Sequence, residues 1–95
     1  MVEIKASKPI KQLKKGEKVK IDGRAWEIDF HGILMEHNDG KGGKVPEMVM
    51  EIFDPKTDED GQVRYFENNL EMSLEFYLLK DDILYVRKNF EKIEW

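Results

Sequence analysis

Apolar and polar residues alternate over several short segments of the chain, which is the period of a half-buried β-strand. The clearest early example is Lys18-Val19-Lys20-Ile21, followed at once by Asp22-Gly23, a dipeptide typical of a tight hairpin turn. The glycine-rich residues 38–44 and the acidic residues 54–61 give two further turn signals. The alternating segments lie at residues 17–22, 25–35, 48–53, 63–65 and 83–87, with a last short one at 93–95.

Residues 70–79 fit two periods. Apolar residues stand at every second position from Leu70 to Leu78, with Glu71, Ser73 and Glu75 between them, and this favours a strand. Leucine, methionine and glutamate also have high helix propensity, and the spacing of Leu70, Leu74 and Leu78 makes a helical stripe. We therefore predict a strand here and keep a short helix as the alternative.

The number and length of these segments predict the fold class. Short strands separated by Gly, Asp and Asn turns, with no strong independent helix, are typical of a small all-β barrel or sandwich. A length of 95 residues fits a single hydrophobic core. We predict a lysine-rich N-terminal arm over residues 1–15 and one small β-domain over residues 16–95.

Composition narrows the class of protein further. The chain is 40% hydrophobic and 38% charged, which suits a soluble globular domain. It has no cysteine, so disulfides, thiolate nucleophiles and cysteine-ligated zinc are excluded. The N-terminal residues lack the apolar stretch of a secretory signal, and we expect a cytoplasmic protein with no membrane partner.

The charge is unevenly distributed along the sequence. Residues 1–20 hold seven lysines and two glutamates, a balance of +5, and the rest carries −9 because the whole chain carries −4. A basic segment on an acidic body can contact phosphate or an acidic partner. It can equally be a solvated surface that keeps the chain in solution.

The residues needed for catalysis are scarce. Nucleophilic catalysis needs an activated hydroxyl, thiol or amine beside an oriented base, and the only aliphatic hydroxyls here are Ser7, Thr57 and Ser73. The only histidines, His31 and His37, are six residues apart, which matches no common metal-binding motif. We predict no enzymatic activity, no cofactor and no metal site, and keep a small hydrolase or metal enzyme built on His31 as a minor alternative.

The loop at residues 38–44 is a candidate phosphate contact. It holds Gly40, Lys41, Gly42, Gly43 and Lys44, but it lacks the spacing and the hydroxyl of a nucleotide-binding P-loop. Glycine amides and lysine side chains can nevertheless approach a phosphate. Our candidate nucleic-acid-binding residues are Lys11, Lys14, Lys15, Lys18, Lys41 and Lys44, with Gly40, Gly42 and Gly43 as the flexible residues of the loop.

One stretch of sequence resembles a known family. Residues 15–28, Lys-Gly-Glu-Lys-Val-Lys-Ile-Asp-Gly-Arg-Ala-Trp-Glu-Ile, resemble the opening of the SH3-like N-terminal domain of bacterial elongation factor P and its archaeal and eukaryotic counterpart, initiation factor 5A. That opening reads Lys-x-Gly-x-x-Val-x-x-Asp-Gly-x-x-Tyr-x-Val. Gly40-Lys41-Gly42, with the strand ending at Asp54, is similar to the family's glycine-lysine loop and the strand after it.

The resemblance covers about residues 15–54 and implies an SH3-like barrel of five to seven antiparallel strands. It also implies that Lys41 is a modified lysine at the loop tip, flanked by Gly40 and Gly42, that reaches toward transfer RNA on the ribosome. Asp39 stands where the family usually has proline. We expect a binding module for RNA or the translation apparatus, and the alternative is a protein-interaction adaptor that uses its acidic surface.

Overall fold

The computed structural model describes residues 2–95, and its regular secondary structure is mostly β-strand. Two single-turn 3-10 helices, Ile10–Gln12 and Glu67–Asn69, and one four-residue helix, α1 (Leu70–Ser73), interrupt the strands. The strands are β1 (Glu3–Lys5), β2 (Lys18–Ile21), β3 (Arg24–Asn38), β4 (Lys44–Phe53), β5 (Asp60–Tyr65), β6 (Glu75–Lys80), β7 (Leu84–Lys88) and β8 (Lys92–Glu94).

All eight strands belong to one sheet, with the order β1-β8-β2-β3-β4-β5-β6-β7. Strands β2 to β7 form an antiparallel meander, whereas β1 pairs with β8 in parallel. The predicted all-β class is therefore confirmed. The barrel is only approximate, because the sheet has more strands than predicted and its edge strands β1 and β7 do not pair with each other.

The sheet bends strongly around one core. Trp26 on β3 and Phe76 on β6 are three strands apart in the sheet, yet their ring centroids are 5.7 Å apart. A flat sheet would separate them by roughly 14 Å, since neighbouring strands are about 4.8 Å apart. The side chains that point inward fill the space that this curvature encloses: Ile10, Leu13, Val19, Ile21, Trp26, Ile28, Met48, Met50, Ile52, Val63, Tyr65, Leu74, Phe76 and Ile93.

Residues 70–79 contain both predicted structures in succession. The helix α1 occupies Leu70–Ser73 and the strand β6 occupies Glu75–Lys80. The Ser73 hydroxyl accepts a hydrogen bond from the Phe66 backbone N–H at 2.8 Å, which ties the end of the helix to the end of β5. Leu74 is buried at this junction, so the chain changes from helix to strand where its side chain enters the core.

The lysine-rich N-terminal segment packs against the β-domain. Strand β1 pairs with β8, and Ile10 and Leu13 are each only 4% exposed within the core. The lysines alternate with these apolar residues, so the backbone packs on the domain while the charged side chains face solvent. Residues before the predicted boundary at residue 15 therefore contact the core of the β-domain.

The hairpin of β3 and β4 extends past the rest of the sheet. Strand β2 pairs with β3 only up to Glu27, and β5 pairs with β4 only from Met48 onward. Within residues 2–95, residues 32–38 and 44–47 consequently have no strand partner outside this hairpin, and we call these residues, with the loop 39–43, the hairpin arm. The domain measures 45 × 32 × 25 Å along its principal axes.

Candidate binding surfaces

One concave surface of the domain is rich in lysine. It has a volume of about 440 Å³ and lies where β1, β8 and β2 meet. We call it the lysine groove, and its lining residues are Lys5, Ala6, Ser7, Lys18, Lys20, Ala25, Glu94 and Trp95. Most of the lining is apolar carbon, so the groove combines cationic walls with an apolar floor.

The alternation of β2 places two of these lysines. Val19 and Ile21 are 0% and 4% exposed because they point into the core, so Lys18 and Lys20 project from the opposite face. The third lysine, Lys5, comes from β1, which reaches this face by pairing with β8. The three cationic side chains thus converge from two strands, β1 and β2.

Three hydrogen bonds hold Trp95 at one side of the groove. Its indole Nε1 donates to the Lys8 carbonyl oxygen at 2.7 Å, and its backbone N–H donates to the Lys5 carbonyl at 3.1 Å. Its own carbonyl accepts from the Ser7 N–H at 2.8 Å. A ring held in this way can offer a fixed apolar face to a ligand.

The electrostatics of the groove are positive. Lys5, Lys18 and Lys20 form no ion pair with any residue in the range 2–95. Glu94 is the one carboxylate in the lining, and Lys92 approaches it at 3.4 Å. The groove therefore offers three cations that have no carboxylate partner.

The other lysines predicted near the N-terminus have different environments. Lys11 pairs with Glu67 at 3.3 Å and Lys15 lies 3.9 Å from Asp29, both at exposed positions. The backbone N–H of Lys14 donates to the carboxylate of Glu17 at 2.8 Å. Lys18 is thus the only member of the predicted binding set that lines the groove.

Glu17 organises the turn before β2. Its carboxylate accepts a 2.6 Å hydrogen bond from the Lys8 ammonium and a second from the Lys14 N–H. These contacts, Lys8 first, hold the pKa of Glu17 below its usual range. The Lys8 ammonium is consequently ion-paired with Glu17, whereas the preceding residues 5–7 line the groove.

Lys41 and Lys44 lie at the tip of the hairpin arm, far from the groove. About thirteen residues of strand separate Ala25, beside the groove, from Asn38 at the tip, which corresponds to roughly 40 Å along β3. The structure therefore does not bring Lys41 or Lys44 into the lysine groove. Lys44 instead lines a hollow with Glu67, the residue that pairs with Lys11.

The loop itself already holds an anion. The Asp39 carboxylate accepts hydrogen bonds from the Lys41 N–H at 2.7 Å and the Gly43 N–H at 3.0 Å. Gly40 and Gly42 have φ values of +79° and +83°, which turn these amides toward Asp39. Of the three glycine amides that we considered for phosphate, the amide of Gly43 is thus occupied by a side chain of the same loop.

The two histidines are in separate environments. His31 Nδ1 lies 2.7 Å from the Leu13 carbonyl oxygen and Nε2 lies 2.6 Å from the Tyr65 hydroxyl. Because a carbonyl only accepts, Nδ1 carries the hydrogen, and Nε2 of the neutral ring accepts from Tyr65. His37 instead contacts Glu47 on the arm. Within residues 2–95, the structure contains no cluster of three or more possible metal ligands.

The acidic turn after β4 is tied to the sheet by Arg24. The guanidinium donates to Asp54 at 2.7 Å and to Glu59 at 2.6 Å. The pKa of Asp54 is lowered, first because its carboxylate accepts a hydrogen bond from the Lys56 N–H and then because of Arg24. Part of the acidic surface considered for a protein partner is thus neutralised within the domain.

Comparison with protein-family models, curated protein sequences and solved structures finds no match for this chain. Among residues 2–95, no helix has the length and apolar character needed to span a bilayer.

Sequence reasoning missed three residues of the groove, Lys5, Lys20 and Trp95. The alternation of Lys18 and Lys20 about Val19 was a usable signal for Lys20. No local pattern signals the other two, because they depend on the pairing of β1 with β8 between distant parts of the sequence.

Proposed function

We propose that this chain is a non-catalytic RNA-binding module and that the lysine groove is its contact surface for single-stranded RNA. The observation that carries the proposal is the convergence of Lys5, Lys18 and Lys20, none of them ion-paired within residues 2–95, beside the fixed ring of Trp95. Cationic side chains that track a phosphate backbone, with an aromatic ring for a base, are the usual elements of such sites.

The positions of these side chains suit phosphate contacts by the lysines and base contact by Trp95. Lys18 and Lys20 are two residues apart on one strand face, so their Cα atoms are about 7 Å apart and the ammonium groups can follow neighbouring phosphates. The apolar floor formed by Ala25 and Trp95 suits the flat face of an unpaired base. A duplex offers no such face, so we expect a preference for single strands.

Because the chain as a whole has a net charge of −4, we expect RNA to bind only at the lysine groove. At physiological ionic strength the Debye length is about 8 Å, so acidic residues elsewhere on the domain act weakly on a ligand held in the groove. We accordingly expect binding that is local, modest in affinity and sensitive to salt.

A role beside the ribosome is the more specific form of the proposal. It rests on the resemblance of residues 15–54 to elongation factor P and initiation factor 5A. Support from the fold is limited to placement, since Lys41 stands at the tip of a projecting hairpin, between Gly40 and Gly42.

Replacing Lys18 and Lys20 together by glutamine is expected to weaken RNA binding about tenfold or more. The double variant also removes two phosphate contacts, so the slope of log K against log salt should decrease in magnitude by about 1–1.5. Fluorescence anisotropy with a labelled unstructured RNA of about twelve nucleotides, recorded at several salt concentrations, measures both effects. Lys80→Gln with Lys88→Gln is the matched control, because both lysines are exposed and lie on β6 and β7.

Two results would contradict the proposal. If the wild-type protein does not bind RNA even at about 20 mM salt, the module does not recognise RNA and the protein-adaptor alternative is favoured. If the control variant weakens binding as much as the groove variant, the groove is not the contact surface. A pull-down with and without nuclease then separates an RNA partner from a protein partner.

A further inference from the structure

One acidic side chain, Glu94, lies among the cations of the lysine groove. Strand β8 lies between β1 and β2, so the register sets Glu94 directly opposite Lys5 on one side and Lys20 on the other. Ile93 is fully buried, so Glu94 projects from the same outer face of the sheet as these two lysines. A groove that served only to attract phosphates would bind them more tightly without this negative charge.

The contacts of Glu94 within the domain leave its carboxylate available to a ligand. Its one ion pair within residues 2–95 is with Lys92, whose ammonium lies 3.4 Å from Oε1. Lys92 also lies 3.8 Å from Glu3, so two carboxylates share this cation. The Glu94 side chain is 30% exposed, and an ion pair in contact with solvent contributes little to stability. The carboxylate can therefore accept hydrogen bonds from a ligand at little cost to the fold.

The donors on the four RNA bases differ in how well they suit a carboxylate. The Watson–Crick edge of an unpaired guanine presents N1–H and the N2 amino group side by side, and these two donors match the two oxygens of a carboxylate. Adenine and cytosine each present one amino group beside a ring nitrogen that only accepts, and uracil presents one N–H between two carbonyl oxygens. A carboxylate therefore forms two parallel hydrogen bonds with guanine alone.

The neighbours of Glu94 suit the same base. The remaining group on the guanine edge, O6, is an acceptor next to N1–H, and Lys5 and Lys20 place ammonium donors on either side of the carboxylate. Trp95 follows Glu94 in the chain and lines the same groove, with its indole bonded to the Lys8 carbonyl oxygen. An aromatic ring beside hydrogen-bonding side chains is the usual arrangement for recognising an unpaired base.

We propose, on the basis of the RNA-binding function above, that Glu94 makes the lysine groove selective for guanine in single-stranded RNA. The Glu94 carboxylate accepts hydrogen bonds from N1–H and N2–H of the base, and a flanking lysine donates to O6. Trp95 stacks on the base, and the remaining lysines contact the phosphates. A bidentate contact of this kind should favour guanine about five- to tenfold over another base.

Short RNAs of the form U-U-X-U-U test this preference, because they differ only in the central base. Fluorescence anisotropy at about 20 mM salt should show about fivefold tighter binding when X is guanine than when X is uracil, adenine or cytosine. Glu94→Gln should reduce this ratio to below about twofold. The same variant should bind the all-uracil RNA equally or more tightly, because a negative charge is removed. A residue with only a structural role would weaken the binding of every RNA alike.

Glu27→Gln is the matched control. Glu27 lies on β3 opposite Lys18, but it lines the neighbouring hollow and not the lysine groove. The control removes the same charge from the chain, so it should leave the guanine preference unchanged. Inosine in place of guanine gives a second measurement that needs no variant of the protein. Inosine lacks the N2 amino group, so the wild-type preference should fall to below about half of its value for guanine.

The results that overturn the guanine preference differ from those that overturn RNA binding itself. Equal binding of all four RNAs by the wild-type protein refutes the preference and leaves the RNA-binding function standing. A guanine preference that Glu94→Gln retains, that Glu27→Gln abolishes, or that inosine keeps in full shows that another group recognises the base. If the wild-type protein binds none of these RNAs, and no longer unstructured RNA at the same salt, both proposals are overturned.

Discussion

Replacing Trp26 with alanine is expected to lower the free energy of unfolding by about 3–5 kcal/mol, the largest effect of any single substitution proposed for this chain. Trp26 is 1% exposed and is among the largest fully buried side chains. Its ring packs edge-to-face on Phe76 at 5.7 Å, and the Arg24 guanidinium lies 4.4 Å from its centroid on the other side. Truncation would remove these contacts and leave a cavity at the centre of the curved sheet.

A loss of this size approaches the total stability of a small domain, which is about 5–15 kcal/mol. Urea denaturation followed by circular dichroism measures the change without depending on the removed tryptophan. Trp95→Ala is the matched control, because Trp95 is only partly buried and should cost clearly less. A loss below about 1 kcal/mol for Trp26→Ala would show that the ring does not hold the sheet around the core.

Alkaline pH is expected to destabilise the fold through Tyr65. Burial raises the pKa of Tyr65 to about 12, from an ordinary value of 10.0, since a charged phenolate would lie in the core. Below pH 10 the hydroxyl is protonated in both states and stability is fully present. Between pH 10 and 12 the unfolded chain loses its proton first, so stability falls, by up to about 2–3 kcal/mol for two pH units.

The contact with His31 explains why the protonated form is required. The Tyr65 hydroxyl donates to Nε2 of His31, and a phenolate cannot donate. Tyr65→Phe should therefore be less stable than wild type near pH 8, by about 1 kcal/mol, and should lose less stability above pH 10. Tyr77 and Tyr85 also have pKa values raised by burial, so the variant should keep part of the alkaline decline. Urea denaturation at pH 8, 10 and 11 measures these differences, and parallel stability curves for the two proteins would contradict the role of Tyr65.

The parts of the fold that the sequence predicts are those formed by local pairing. The Asp22-Gly23 turn, the glycine-rich loop and the acidic turn each join neighbouring strands of the meander, and alternation marks the strands between them. The parallel pairing of β1 with β8 has no local signal, because Ile4 and Ile93 each lie in a strand of only three residues. The attachment of residues 3–5 to the sheet could not be predicted for this reason.

In the candidate site too, features set by local alternation could be predicted and features set by long-range strand pairing could not. Lys18 could be predicted as a solvent-facing residue from the alternation of β2 alone. The grouping of Lys5 with Lys18 and Lys20 could not, since it depends on which strands are neighbours in the sheet. The hydrogen bonds from the loop amides to Asp39 could not be predicted either. The sequence Gly40-Lys41-Gly42 is typical of an anion site whether or not Asp39 accepts these bonds.

The pairing of β8 between β1 and β2 also determines the order in which the molecule can fold. Strands β2 to β7 pair with their neighbours in the sequence, through short turns or, between β5 and β6, through the helical residues 66–74, so each pairing can form on a timescale of microseconds. The two strands that complete the core at the other edge must wait until residues 92–94 are available, and closing so long a segment of chain is slow. During synthesis Ile4, Val19 and Ile21 therefore stay uncovered until the last strand arrives, and we expect their burial to define the slow phase of refolding.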